Sequence, residues 1–189
     1  MQELTRRAVV GGAISLAAIP LISGTAVASE RERTRSNPSR ESAAPARRFL
    51  HSAAAMRNGL VLVTGGYHVG DSTRSRVGVP PSTSAQLYDP LSDRWFDVAP
   101  LTLGRARHAS VELPDGRVAV LGGFHSFAVD SVELYDPVAD SWSVGEPLPM
   151  PMYDHAAVLA GSSVVLVGGH SGAAAVVIDG LAGVSVARP

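Results

Sequence analysis

The chain has 189 residues, 46% of them hydrophobic and 17% charged, a balance that suits a folded domain and excludes a wholly disordered chain. Its net charge of -1 gives no electrostatic footprint for nucleic acid. It has no cysteine, which removes disulfides, thiolate metal sites and cysteine nucleophiles; all 16 basic residues are arginine, which reads as coding bias rather than a binding device.

Thr5-Arg6-Arg7-Ala8 begins a twin-arginine pattern, followed by an uncharged stretch that runs to Ala28. Ala26-Val27-Ala28 supplies the small-x-small residues that a signal peptidase needs. Residues 1–28 therefore resemble a bacterial twin-arginine signal peptide, with Arg6, Arg7, Ala26 and Ala28 as the signal residues. The resemblance implies export of an already folded protein to the periplasm, cell surface or medium, and a membrane role in export alone. Gly11, Gly12, Pro20 and Gly24 make the stretch less helical than a stable span. A retained single-span anchor and a Sec-type signal stand as alternatives. Residues 29–47 turn to Arg, Glu, Ser and Pro with no apolar period, and are expected to be a disordered linker.

From residue 48 onward one signature recurs. His51, His108 and His155 each precede an apolar run that ends in a glycine pair, Gly65-Gly66, Gly122-Gly123 and Gly168-Gly169. Tyr88-Asp89-Pro90 and Trp95 follow the first pair; Tyr135-Asp136-Pro137 and Trp142 follow the second, 47 residues later. A period of this size marks an array of supersecondary units. In the second unit, a strand from Arg107 to Leu113 meets a Pro114-Asp115-Gly116-Arg117 hairpin turn, and Val118–Leu121 returns buried on both faces. Ser131–Tyr135 and a short strand around Trp142 complete four strands. The first unit repeats this with an Asn58-Gly59 turn and about ten extra residues between Tyr67 and Ser84. The third fades: Ile178-Asp179-Gly180 stands in place of Tyr-Asp-Pro, and Ser185 stands near the Trp position.

The glycine pair, the Tyr-Asp-Pro and the Trp at these spacings resemble the kelch repeat, distantly that of galactose-oxidase-like propellers, over residues 48 to 189. The resemblance implies an all-β fold of kelch-type β-propeller blades: blade 1 at about 48–104, blade 2 at about 105–150, and a degenerate blade 3 at about 151–189. Each complete blade has four strands, and the third is expected to be incomplete. Gly65, Gly66, Tyr88, Trp95, Gly122, Gly123, Tyr135, Trp142, Gly168 and Gly169 are then motif residues that build the scaffold. So are His51, His108 and His155, since a position shared by all repeats serves the shared core. Three blades cannot close a ring, because propellers have four to eight. The chain is thus expected to be a truncated or split form, an oligomer or a partial ring, with self-association or further blades completing it.

Candidate binding residues lie after the glycine pairs, where the blade resemblance puts the loop between second and third strands. They are Tyr67, His68, Phe124, His125 and His170, with Asp71, Arg74 and Arg76 in the long first loop. Neighbouring blades would set these too far apart for a metal, which needs three or four donors at about 2 Å. No metal or other cofactor is expected. Gly169-His170-Ser171-Gly172 lacks the spacing and the strand-to-helix setting of a hydrolase nucleophile elbow. The leading reading is an exported, non-catalytic kelch-repeat module that binds protein or carbohydrate through its loops. The alternative is a fragment or subunit of a secreted kelch-propeller enzyme acting on carbohydrate. Galactose-oxidase-like copper chemistry, which the resemblance ties to a Tyr–Cys cofactor, is disfavoured by the absence of cysteine.

Overall fold

A computed structural model describes residues 41–42, 47–68, 79–170 and 175–179, all strand, turn or irregular chain with no helix. Blade 1 consists of β3 (Ser52–Ala55), β4 (Val61–Thr64), β6 (Ala85–Asp89) and β7 (Arg94–Asp97). Blade 2 consists of β8 (Ala109–Glu112), β9 (Val118–Leu121), β10 (Val132–Asp136) and β11 (Ser141–Val144). Blade 3 has β12 (His155–Ala160), β13 (Ser163–Gly168) and β14 (Ala175–Asp179), three strands among the described residues. In every blade each strand pairs antiparallel with the next, from an inner strand outward. These are kelch-type propeller blades, and among the described residues the third shows three strands.

Three short strands lie outside this pattern. β1 (Glu41–Ser42) pairs with β7 on the outer edge of blade 1, and β2 (Arg48–Phe49) pairs with β5 (Tyr67–His68). Glu41 and Ser42 therefore correct the linker assignment at two positions. They stand where the segment entering blade 2 has Val98 and Ala99, so a backbone edge is there to receive them. The signal residues Arg6, Arg7, Ala26 and Ala28, and the rest of residues 29–46, lie outside the described residues.

The hairpin turns follow from local chemistry. Gly59 (φ 88°) and Gly116 (φ 90°) take the left-handed conformation, and the Asn58 and Asp115 carboxamide and carboxylate oxygens accept the N–H of Leu60 and Arg117. At the outer turns, Asp89 and Asp136 accept the N–H of Leu91 and Val138. Asp93 and Asp140 there have positive φ and accept the Tyr88 and Tyr135 hydroxyls at 3.0 Å. The tyrosine of the motif thus stays tied to its own turn, while its ring lies against the motif tryptophan at 4.6 Å in blade 1 and 5.1 Å in blade 2.

The core lies between blades, not within them. Ala54, Leu62, Leu87 and Phe96 of blade 1 pack with Val118 and Tyr135 of blade 2, and Trp142 closes the cluster from outside. Trp142 Nε1 donates to Ala99 O at 2.6 Å, fastening the connecting segment. A second cluster joins Ala119, Leu121, Val132 and Leu134 of blade 2 to Val164, Leu166, Val176 and Ile178 of blade 3. Alternation along β9 and β10 sends successive side chains to opposite neighbours, so every residue of β9 is buried.

One buried polar cluster braces the blade 1–blade 2 junction. Arg105 is fully buried; its guanidinium donates to Glu133 at 2.7 Å, to Ser131, and to the Gly122 carbonyl. Glu133 in turn accepts from the N–H groups of Thr102 and Leu103 and from the Thr102 hydroxyl. Arg48 repeats part of this in blade 1, donating to Ser84 and Gln86. At the junction with blade 3 the corresponding pair is Met152 and Val176, both fully buried in the apolar cluster. The repeat thus fills one position with an arginine–carboxylate pair, an arginine–amide pair and an apolar pair, the exchange expected when burying an ion pair brings little net gain.

The glycine pairs hold neighbouring blades at close range. A Cβ on Gly65 would strike the Arg105 carbonyl and approach His108 Cε1 to 2.7 Å; on Gly122 it would reach Met152 O at 2.6 Å and His155 Cε1 at 3.2 Å. A Cβ on Gly168 meets nothing within 4 Å. All three have positive φ. Gly65→Ala is therefore expected to cost more than about 4 kcal/mol, beyond the ordinary range for point variants. Gly168→Ala should cost only the left-handed penalty of roughly 1–2 kcal/mol. Urea unfolding of the two variants measures this; equal losses would show that the first glycine serves φ alone.

Candidate functional site

The three inner strands begin side by side, and the residue before each motif histidine has a left-handed backbone: Leu50 (φ 58°), Arg107 (φ 57°) and Asp154 (φ 57°). Arg107 N donates to Leu50 O and Asp154 N to Arg107 O, both at 2.9 Å. This backbone ladder steps from blade to blade around the axis. The glycine pairs add to it, with Gly66 N donating to Arg105 O at 2.9 Å and Gly123 N to Met152 O at 2.7 Å.

Behind the ladder stand His51, His108 and His155, as the repeat reading places them. His108 Nε2 meets Thr64 Oγ1 of the preceding blade at 2.8 Å. Burial pushes the His108 ring down to about 3, with Arg105, His155 and His51 adding to the effect. Burial likewise lowers His51 and His155. All three are therefore neutral near pH 7, and the rings of His108 and His155 fill the space beside Gly65 and Gly122 of the preceding blade. Among the described residues no group of three or more His, Cys, Asp or Glu is placed to hold a metal.

In front of the ladder, the loops after the glycine pairs form one end of the blades. Tyr67 stacks on Phe49 at 5.5 Å between ring centres, and His68 Nε2 lies 3.2 Å from the Ser82 hydroxyl. His125 turns to the Gly104 carbonyl, 2.7 Å from Nδ1. His68 thus bonds within its own loop and His125 to the segment entering blade 2, and the structure does not bring the two together. Asp71, Arg74 and Arg76 lie outside the described residues, as does Ser171.

Phe124 and His170 do meet a shared partner, Tyr153, which the sequence reading did not single out. Phe124 meets the Tyr153 ring edge-on at 5.5 Å, and the His170 ring stacks parallel to it at 4.6 Å. The Arg107 guanidinium lies 5.8 Å from the Tyr153 ring centre and bonds Asp154 Oδ2 at 2.6 Å. His170 Nδ1 is 3.7 Å from the same carboxylate oxygen. Phe127, at the tip of the blade 2 loop, is 79% exposed. The result is an aromatic platform edged by a half-exposed ion pair, built from two adjacent blades. Such a platform can stack on a flat apolar or sugar face while Arg107 and Asp154 take polar groups. Among the described residues it holds no nucleophile–base pair and no carboxylate pair. Tyr153 could have been found from its place two residues before His155, where blade 2 has Ala106 and blade 1 has Phe49.

A cleft of about 820 Å³ lies elsewhere, at the outer edge between blades 2 and 3, lined by Leu134, Ser143, Val144, Val164, Ile178 and the Leu113–Arg117 turn among others. Phe96 and Tyr135 fill the corresponding place between blades 1 and 2. Strand pairing puts Ser143 where blade 1 has Phe96, and Ile178 where blade 2 has Tyr135. The cleft is thus a difference in side-chain volume at a packing junction and is remote from the loop platform.

A family model described as the kelch motif matches residues 105–149, which is blade 2 from its buried Arg105 to the end of the segment after β11. The second unit is a kelch motif, and the sheets on either side of it repeat its strand order and its inter-blade packing. No curated protein is a match for the chain.

The neutral histidine row makes stability depend on pH. An unfolded histidine titrates near 6.5, whereas folded His108 resists protonation until about 3. The unfolded chain therefore binds more protons over that interval, so stability is full above pH 6.5 and falls as pH drops toward 3. His108→Gln is expected to flatten the fall in urea midpoint over this window relative to the parent. Parallel profiles for the two proteins would show that the ring is not kept neutral by burial.

Proposed function

We propose that this chain is an exported, non-catalytic kelch-repeat module that binds a protein or carbohydrate through the loop end of its blades. The observation that carries this reading is the Phe124–Tyr153–His170 platform with the Arg107–Asp154 pair at its edge. Kelch repeats generally mediate protein interactions, and protein is the first ligand class to test. The aromatic platform also fits the apolar face of a sugar ring. The platform is held by the backbone ladder beneath it, so its groups are positioned before a ligand arrives. Residues 1–28 supply the route out of the cell.

The double variant Phe127→Ser/Tyr153→Ala removes the exposed ring and the centre of the platform without touching the inter-blade core. In crosslinking to extracellular proteins, and on an array of immobilised glycans, the parent should capture ligands that the variant loses by tenfold or more. Equal capture by parent and variant on both would place binding elsewhere. For export, Arg6→Lys/Arg7→Lys is expected to hold the precursor inside the cell, read by fractionation and immunoblot. Undiminished secretion of that variant would refute the twin-arginine assignment.

A further inference from the structure

We infer that Asn58, in the hairpin turn of blade 1, is a site of spontaneous imide formation, and that Arg57 beside it sets the rate by holding that turn shut. This goes beyond the loop-platform reading and concerns the opposite end of the inner strands.

An asparagine followed by glycine is unstable in water, because no side chain hinders the glycine nitrogen. The Gly59 nitrogen attacks Cγ of the Asn58 carboxamide. A bond forms between them, the bond from Cγ to the amide nitrogen breaks, and ammonia leaves with the proton that Gly59 gives up. Water then opens the cyclic imide at either carbonyl. One opening gives aspartate; the other gives isoaspartate, whose main chain runs through the side chain and is longer.

The folded turn keeps both reacting groups occupied. Gly59 N donates its hydrogen to Met56 O at 2.9 Å, and the Asn58 carboxamide oxygen accepts from Leu60 N at 3.0 Å. Met56 N closes the turn onto Leu60 O at 2.8 Å. The nitrogen attacks only after it releases Met56 O, so the reaction waits on local opening of the turn.

Arg57 restrains that opening. Its backbone N–H donates to Glu112 at 3.0 Å, and its guanidinium donates to the Pro114 and Leu113 carbonyls at 2.9 and 2.7 Å. Arg57 Nε also lies 3.3 Å from the Glu112 carboxylate. A half-exposed ion pair contributes little by itself. Here three hydrogen bonds to the end of β8 and the blade 2 turn act with it, and they fasten one hairpin turn to the next. The residue that matches Arg57 in blade 2 is Pro114, which has no N–H and no charge, so this fastening is particular to the blade 1–blade 2 junction.

The blade 2 turn is an internal comparison. Gly116 N donates to Leu113 O at 3.0 Å and Asp115 Oδ1 accepts from Arg117 N at 3.0 Å, as in blade 1. Burial works against the Asp115 charge, but the hydrogen bonds and charge of Arg117 outweigh it and hold the carboxyl below its usual range. An ionised carboxylate is a poor electrophile, so conversion falls on Asn58 and spares Asp115. Because aspartate already fits this turn in blade 2, aspartate at position 58 leaves the fold intact. Isoaspartate lengthens the turn and draws Arg57 away from its partners across the junction.

The full chain is incubated in mildly alkaline buffer, native and in urea, and peptide mass spectrometry scores both products at Asn58 and any isoaspartate at Asp115. In urea Asn58 should convert while Asp115 persists. The native parent should convert roughly tenfold more slowly or less, since the turn must first open. Arg57→Ala should raise the native rate severalfold and leave the rate in urea unchanged. The isolated isoaspartate form should unfold at a lower urea midpoint than Asn58→Asp. The proposal is overturned if Asn58 stays intact in urea, if native and unfolded chains convert equally fast, or if Arg57→Ala leaves the native rate as it was. Equal urea midpoints for the isoaspartate form and Asn58→Asp overturn the link to the junction. Should Arg57→Ala fail to fold, Glu112→Ala tests the same fastening.

Discussion

Everything in this fold depends on how closely one blade can approach the next, and a close approach falls at Gly65 and Gly122, the first glycines of the first two pairs. There the backbone of one blade lies against the carbonyl and the histidine ring of the blade that follows, at distances that leave no room for a Cβ. The glycine is needed twice over, for its positive φ and for the space. The second glycine does a different job, lying against its own inner strand: Gly66 against His51, Gly123 against His108 and Gly169 against His155. The histidine and the glycine pair are therefore one device. A side chain from the following blade fills the notch, and burial keeps that side chain uncharged.

From that contact the rest follows. Once the inner strands are locked side by side, successive residues of β9 and β10 must face opposite neighbours, and the apolar core forms in the gaps between blades. The gap between blades 1 and 2 is filled by Phe96, Tyr135 and Trp142 and braced by Arg105 and Glu133. The gap between blades 2 and 3 keeps the aliphatic part, replaces the ion pair by Met152 and Val176, and loses aromatic volume at Ser143 and Ile178. Repetition of geometry thus tolerates wide variation in chemistry at equivalent positions.

The loop end draws on the same rigidity. Leu50, Arg107 and Asp154 adopt a left-handed backbone that only surrounding structure can hold, and the price of that strain is met by the hydrogen bonds between blades. Tyr153, Arg107 and Asp154 are placed by this ladder, so the platform is a consequence of the blade contacts rather than of its own loop. Phe124 and His170 were legible as loop residues because they follow a glycine pair. Tyr153 and Arg107 were not, because they lie far from Phe124 in the chain and belong to the approach to the inner strands. His68 and His125 looked equivalent to His170 by position, yet Ser82 and Gly104 offered each a nearer polar partner.

The sequence by itself determined the blades. The period, the glycine pairs and the Asn-Gly and Asp-Gly turns are local demands on φ and on strand alternation, and such demands are written residue by residue. It also determined that the third unit is a fading copy, since the tyrosine and tryptophan that hold an outer strand are replaced. Only the tertiary structure decided what those residues pack against. The burial of Arg105 on Glu133, the neutral row of histidines and the platform around Tyr153 all depend on which blades become neighbours. Neighbours in space come from backbone contacts between units, which no single repeat encodes alone.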